Sequence, residues 1–142
     1  SPEATDYAVD LLAKGLHDIN VTKIVGIESR GFLFGLALAQ KMGVSFVPIR
    51  KPGKLPGAIL QQKYALEYGE DCIEIQEEAI QPEDYVVVHD DVLATGGTAA
   101  AACKLVEQCG ATVVQCNFLM ELGFLEGRSK LKQYHLHSLM HY

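Results

Sequence analysis

Residues 86–98 read VVVHDDVLATGGT, and three physical parts follow one another in that stretch. Val86, Val87 and Val88 are β-branched and apolar, as a buried strand requires. Asp90 and Asp91 form an acidic pair at the C-terminal end of that strand. Ala94, Thr95, Gly96, Gly97 and Thr98 make a small-residue turn that runs directly into the Ala-rich helical stretch AAAACKLVEQCG. Strand, tight loop and helix start together build an anion cradle. Backbone N–H groups of the loop and the positive end of the helix converge on one phosphate-sized group. The glycines let the backbone approach closely, and Thr95 and Thr98 add hydroxyl donors. The acidic pair calls for a different partner: the hydroxyls of a ribose, or a hydrated Mg²⁺.

Outward from this stretch, strands alternate with helices. SPEATDYAVDLLAKGLHDIN opens as a helix, with Ser1 as its cap, Pro2 in its first turn, and Ala8, Leu11, Leu12, Leu16 and Ile19 at helical spacing. KIVGIE is a short buried strand. GFLFGLALAQKMG is a mostly apolar helix ending at Gly43. VSFVPIR is a second strand. Residues 51–70 read as a long loop, with Pro52, Gly53, Pro56, Gly57 and Gly69. DCIEIQ is a third strand, DYVVVHD the central one, and ATVVQCNFLM another after Gly110. FLEGRSKLK reads as a short helix and YHLHSLMHY as a final alternating strand. The pattern predicts an α/β fold, a mostly parallel twisted sheet flanked by helices. Ligands in such sheets sit beyond the C-terminal ends of the strands. Ser29-Arg30-Gly31, Arg50-Lys51 and Asp90-Asp91 all fall at such ends.

Composition narrows the function classes. The 142 residues suit one domain spanning 1–142. Hydrophobic content is 49% and no apolar run is long enough to span a bilayer, about 18 residues or more. No signal peptide is evident. Cys72, Cys103, Cys109 and Cys116 show no CxxC spacing and read as reduced thiols, so a cytoplasmic location is expected. The net charge of −6 argues against a nucleic-acid binder, which needs a basic face. Arg30, Arg50, Lys51 and Lys54 nonetheless gather in predicted loops, a local basic cluster suited to one anionic ligand. Neither GxxxxGK[ST] nor GxGxxG occurs, which removes the P-loop and the dinucleotide fingerprint. His135, His137 and His141 lie close in sequence, but no carboxylate or cysteine is interleaved to complete a metal site.

The DDVLATGGT stretch resembles the motif by which type I phosphoribosyltransferases bind 5-phosphoribosyl 1-diphosphate (PRPP). GIESRGFLFG at 26–35 resembles the diphosphate loop of the same family, RKPGKLPG at 50–57 with YALEYG at 64–69 resembles its adenine-specific branch, and ELGFLEGRSKL at 121–131 also matches. The resemblance covers nearly the whole chain. It implies that Asp90 and Asp91 hold the ribose hydroxyls and that Ala94, Thr95, Gly96, Gly97 and Thr98 hold the 5-phosphate. Ser29, Arg30, Arg50, Lys51 and Lys54 then serve the diphosphate. Glu67 is the catalytic carboxyl, Tyr68 belongs to a flexible active-site loop over about 51–70, and Leu122 lies near the base. A cis peptide is implied at Glu28–Ser29.

The implied activity is conversion of adenine and PRPP to AMP and diphosphate in purine salvage. Mg²⁺ arrives on PRPP with no direct protein ligand, and the enzyme is a homodimer. Transfer to hypoxanthine or guanine, and a non-catalytic PRPP sensor, are the alternatives. His89 departs from the apolar residue usual in the family; it reads as a core residue, with tuning of the adjacent carboxylates as the other reading. The family also has an N-terminal hood over the base. The chain opens at Ser1, already at a helix cap, so the hood and much of the base selectivity are expected to be missing.

Overall fold

The computed structural model describes residues 1–142. Five parallel strands form the main sheet: β1 (Lys23–Ile27), β2 (Ser45–Ile49), β5 (Tyr85–Leu93), β6 (Thr112–Glu121) and β7 (Leu136–His141), in the order β2-β1-β5-β6-β7. Val86, Val87 and Val88 are fully buried, because helices cover both faces of the sheet at this strand. Val87 packs with Leu12, Leu16, Ile24 and Leu38 beneath α1 (Pro2–Lys14) and α2 (Gly31–Met42). Val86 and Val88 face the opposite cluster, which takes in Cys103, Leu105 and Val106 of α3 (Gly97–Gln108).

The helix boundaries follow local chemistry. Ser1 Oγ accepts the Ala4 N–H at 3.3 Å, and Pro2 opens α1. That helix ends at Lys14, short of the predicted residue 20; Gly15 onward continues as turns into β1. Gly43, with φ +69°, stops α2 and turns the chain straight into β2.

Two expectations need correction. Residues 51–70 are not one long loop: Ile59–Ala65 form β3, paired antiparallel with β4 (Glu70–Gln76) in a separate hairpin. Leu60 and Tyr64 point to the core while Gln61 and Lys63 point out. The alternation is there, but polar side chains dominate it, and the Pro/Gly cluster ends at Gly57. Residues 123–130 form two short 3₁₀ turns, Gly123–Leu125 and Gly127–Lys130, in place of one helix. Glu126 between them adopts φ +57°, which breaks any continuous helix.

The acidic pair lies inside β5, which runs on to Leu93. Pairing with β1 stops at Gly26–His89, whereas pairing with β6 continues to Leu93–Glu121. The chain leaves toward β2 on one side and β6 on the other, so the gap beyond Gly26 is the topological switch point of the sheet.

Gly26 also sets how closely α2 can approach. A Cβ there would lie 2.6 Å from the Phe46 ring and 2.8 Å from the Gly31 carbonyl oxygen. Gly26→Ala should therefore lower stability by about 1–3 kcal/mol. A urea midpoint equal to that of the parent would show that α2 yields without cost.

Candidate active site

The anion cradle forms where β5 hands over to α3. Gly96 takes φ +87° and caps the helix without a side chain, leaving first-turn N–H groups free. A Cβ at Gly96 would sit 2.5 Å from the Gly127 carbonyl oxygen, so the loop rests directly on the 3₁₀ backbone. Asp90, Val92, Leu93, Ala94, Thr95, Gly96 and Thr98 enclose a hollow of about 80 Å³ beside it. The Thr98 hydroxyl donates to the Tyr64 hydroxyl of β3 at 3.1 Å.

The two carboxylates sit in unlike settings. Asp90 Oδ1 accepts the Asp91 N–H at 2.8 Å and lies under the start of α2, where a Cβ on Gly31 would be 3.1 Å from it. Burial, with the neighbouring Asp91 carboxylate, pushes Asp90 up to about 8. Asp91 accepts the Val92 N–H at 2.9 Å and pairs with Arg30 Nε at 3.1 Å.

Across the gap, the cations predicted to meet diphosphate are gathered, but each holds an acidic partner. Glu28 takes Arg50 Nε at 3.3 Å, the Lys51 N–H at 2.9 Å and the Lys54 amine. Burial alone would raise the Glu28 carboxyl; Lys54, the Lys51 N–H and Arg50 outweigh it and hold it below its ordinary value. The Lys51 amine meets Asp71 and, at 3.3 Å, the Tyr64 hydroxyl. The Lys51 contact comes first in holding Asp71 below the usual carboxylate range. The Glu28–Ser29 peptide is cis, with Ser29 and Arg30 leading into α2. Arg50 also lies over the Phe32 ring, 5.9 Å from its centroid.

The β3–β4 turn closes with the Leu66 N–H on the Gly69 carbonyl at 3.0 Å. Glu67 on this turn lines a cleft of about 460 Å³ with Tyr64, Thr95, Gly97, Thr98 and Lys130. The hairpin thus brings Glu67 to the cradle. Tyr68 is 87% exposed and does not line that cleft. Leu122 stands just past β6, its N–H on the Leu93 carbonyl at 2.9 Å.

Glu28, Tyr64, Asp71 and Lys130 escaped the reading of the sequence. Glu28, Tyr64 and Lys130 lie inside the recognised stretches 26–35, 64–69 and 121–131, whereas Asp71 carries no local signal. His89 is a core residue: fully buried, bonded through Nδ1 to Asn117 Oδ1 at 2.8 Å, and shifted by burial toward the neutral ring. The three C-terminal histidines do not converge on a shared site: His135 meets Gln115, His137 packs at Gly15, and His141 lies 3.4 Å from the buried Glu121.

A family profile described as phosphoribosyl transferase domain matches residues 3–135, which sets the class of the chain as a phosphoribosyltransferase. The adenine phosphoribosyltransferase of Christiangramia forsetii is 56% identical over 141 residues, covering 99% of this chain and 82% of the relative. The crystal structure of adenine phosphoribosyltransferase from Thermoanaerobacter pseudethanolicus superposes with a TM-score of 0.98 at 48% identity, covering 100% of this chain and 83% of that one. The Saccharomyces cerevisiae enzyme, complexed with D-2,5-dideoxy-2,5-imino-altritol 1,6-bisphosphate and adenine, gives 0.92 at 47%, over 98% and 81% of the two chains. The chain belongs to the adenine phosphoribosyltransferase family.

Asp90 links the site to stability. Its carboxyl titrates near 8 in the folded protein and near about 3.9 when unfolded. The folded state therefore keeps a proton that the unfolded state has lost. Stability from this group is complete below about pH 4 and falls as pH rises toward 8. Asp90→Asn removes that dependence, so the variant should gain on the parent progressively from pH 4 to 8 in urea titrations. A stability difference that stays flat over this range would contradict the assignment.

Proposed function

We propose that this chain transfers the phosphoribosyl group of PRPP to adenine, releasing AMP and diphosphate, as a step of purine salvage. The observation that carries the reading is the gap between β1 and β5. There Asp90 borders the Thr95–Thr98 loop and Asp91 pairs with Arg30, which supports an acidic pair set beside an anion cradle and a cationic wall.

The residues divide the work. The N–H groups from Ala94 to Thr98 hold the 5-phosphate, with the Thr95 and Thr98 hydroxyls. Asp90 and Asp91 accept the ribose hydroxyls and fix C1 for in-line attack. Ser29, Arg30, Arg50, Lys51 and Lys54 receive the diphosphate, on which charge grows as the C1–O bond breaks. A base nitrogen forms the new C1–N bond across an oxocarbenium-like transition state. The base then gives up a proton, and Glu67, lining the same cleft as Thr95 and Thr98, is placed to manage it. The 66–69 turn, with Tyr68, acts as a lid that excludes water. Leu122 borders the base.

Mg²⁺ would be carried in on PRPP, held by PRPP oxygens and water with no direct protein ligand. When bound, Mg²⁺ neutralises charge on the leaving diphosphate. The reading includes a cytoplasmic homodimer, for which the exposed Leu33 and Leu36 of α2 offer an apolar contact face.

A spectrophotometric assay with PRPP, Mg²⁺ and adenine, hypoxanthine or guanine in turn tests the reaction. Turnover with adenine is expected; turnover confined to another base, or none at all, would refute it. Asp91→Asn should weaken PRPP binding by about 1.5–3 kcal/mol, the range for a hydrogen bond to a charged group, and Asp90→Asn, which replaces a carboxyl held neutral, by about 0.5–1.5 kcal/mol. Glu67→Gln should lower kcat by about a hundredfold or more while changing PRPP affinity little, since the proton moves only during reaction. Normal kcat in that variant would return Glu67 to a structural role.

A further inference from the structure

The four cations on the diphosphate side each have a carboxylate partner. Lys130 has none: its amine makes no ion pair and no hydrogen bond. Yet it lies at the cradle. A Cβ built on Gly97, the first residue of α3, would be 3.9 Å from Lys130 Nζ. Lys130 also lines the Glu67 cleft and a neighbouring cleft of about 560 Å³ that runs along α3 past Ala100 and Lys104.

Position makes the free amine informative. The N-terminus of α3 carries the positive end of the helix dipole, where a cation is unfavourable. Glu67, Glu70 and Glu107 line the flanking clefts, but none pairs with Lys130. Two positive features therefore meet at the Thr95–Thr98 loop, and the Lys130 amine is paired with no carboxylate. The backbone holds them together firmly. Gly127, three residues earlier, contacts the Gly96 backbone, and Leu131, one residue later, is buried in the core. An anion in the loop would be attracted by both features.

We propose that Lys130 is a substrate-binding residue, supplying the side-chain cation for the 5-phosphate of PRPP. This rests on reading the Ala94–Thr98 loop as the 5-phosphate cradle. Diphosphate, on the far side of the acidic pair, has its own cations. Lys130 therefore acts on one end of the substrate only. It meets the phosphate equally in the bound substrate and in the transition state, so its effect falls on binding and leaves kcat alone.

The test titrates parent, Lys130→Ala, Lys130→Arg and Lys104→Ala calorimetrically with ribose 5-phosphate and, separately, with diphosphate. Ribose 5-phosphate affinity should fall about tenfold in Lys130→Ala, the size of one partly screened charge contact. It should recover in Lys130→Arg and match the parent in Lys104→Ala, with diphosphate affinity unchanged throughout. The KM for PRPP should rise by the same factor at constant kcat. Unaltered ribose 5-phosphate affinity in Lys130→Ala overturns the proposal. So does an equal loss for diphosphate, which would mark a diffuse field, or failure of Lys130→Arg to restore binding. If the parent itself fails to bind ribose 5-phosphate, the cradle reading falls with it.

Discussion

Pairing between β1 and β5 stops at Gly26 and His89, while β5 and β6 stay paired for four residues more. The site depends on that early stop. It frees one edge of β5 at Asp90 and Asp91 and opens a gap into which the 28–31 loop turns. Had β1 continued, its backbone would have filled the space beside the two carboxyl groups. Gly26 and Gly31 support the arrangement from the other side, since neither leaves room for a larger residue beside Phe46 or Asp90.

Charge compensation is the second constraint. A wall of arginine and lysine beside a partly buried site would repel itself unless acidic groups stood among them. Glu28 and Asp71 supply that balance and hold the side chains in place. An anion arriving at these side chains would exchange with existing carboxylates and would not need to order free cations. The geometry is prepared in advance, which lowers the entropic cost of binding. Lys130 differs because no carboxylate pairs with its amine, although Glu67 and Glu70 line the same clefts.

The hairpin ties both ends together. Tyr64 touches Thr98 at the start of α3 and Lys51 and Asp71 of the cationic wall. The same hairpin carries Glu67 at its turn. Any movement of β3 thus reaches the cradle, the cationic wall and the carboxylate together, an arrangement suited to coupling closure with substrate.

The stretch VVVHDDVLATGGT was enough to place a buried strand, an acidic pair and a tight glycine loop at a helix start in order, because each depends on neighbours within a few residues. The alternation of strands and helices likewise yielded the parallel sheet, and burial settled His89 as a core residue. Strand β3 stayed hidden because Gln61, Gln62 and Lys63 mask its period, and only pairing with β4 makes it a strand. Asp90 and Asp91 were legible as a pair; the elevation of Asp90 came only with burial beneath α2. Partners such as Tyr64 for Thr98, 34 residues apart, leave no trace in local pattern. The same holds for Lys130, which reaches Gly97 only through the packing of one glycine backbone on another. Local chemistry determines which groups can bind an anion; the close approach of distant segments decides which of them remain free to do so.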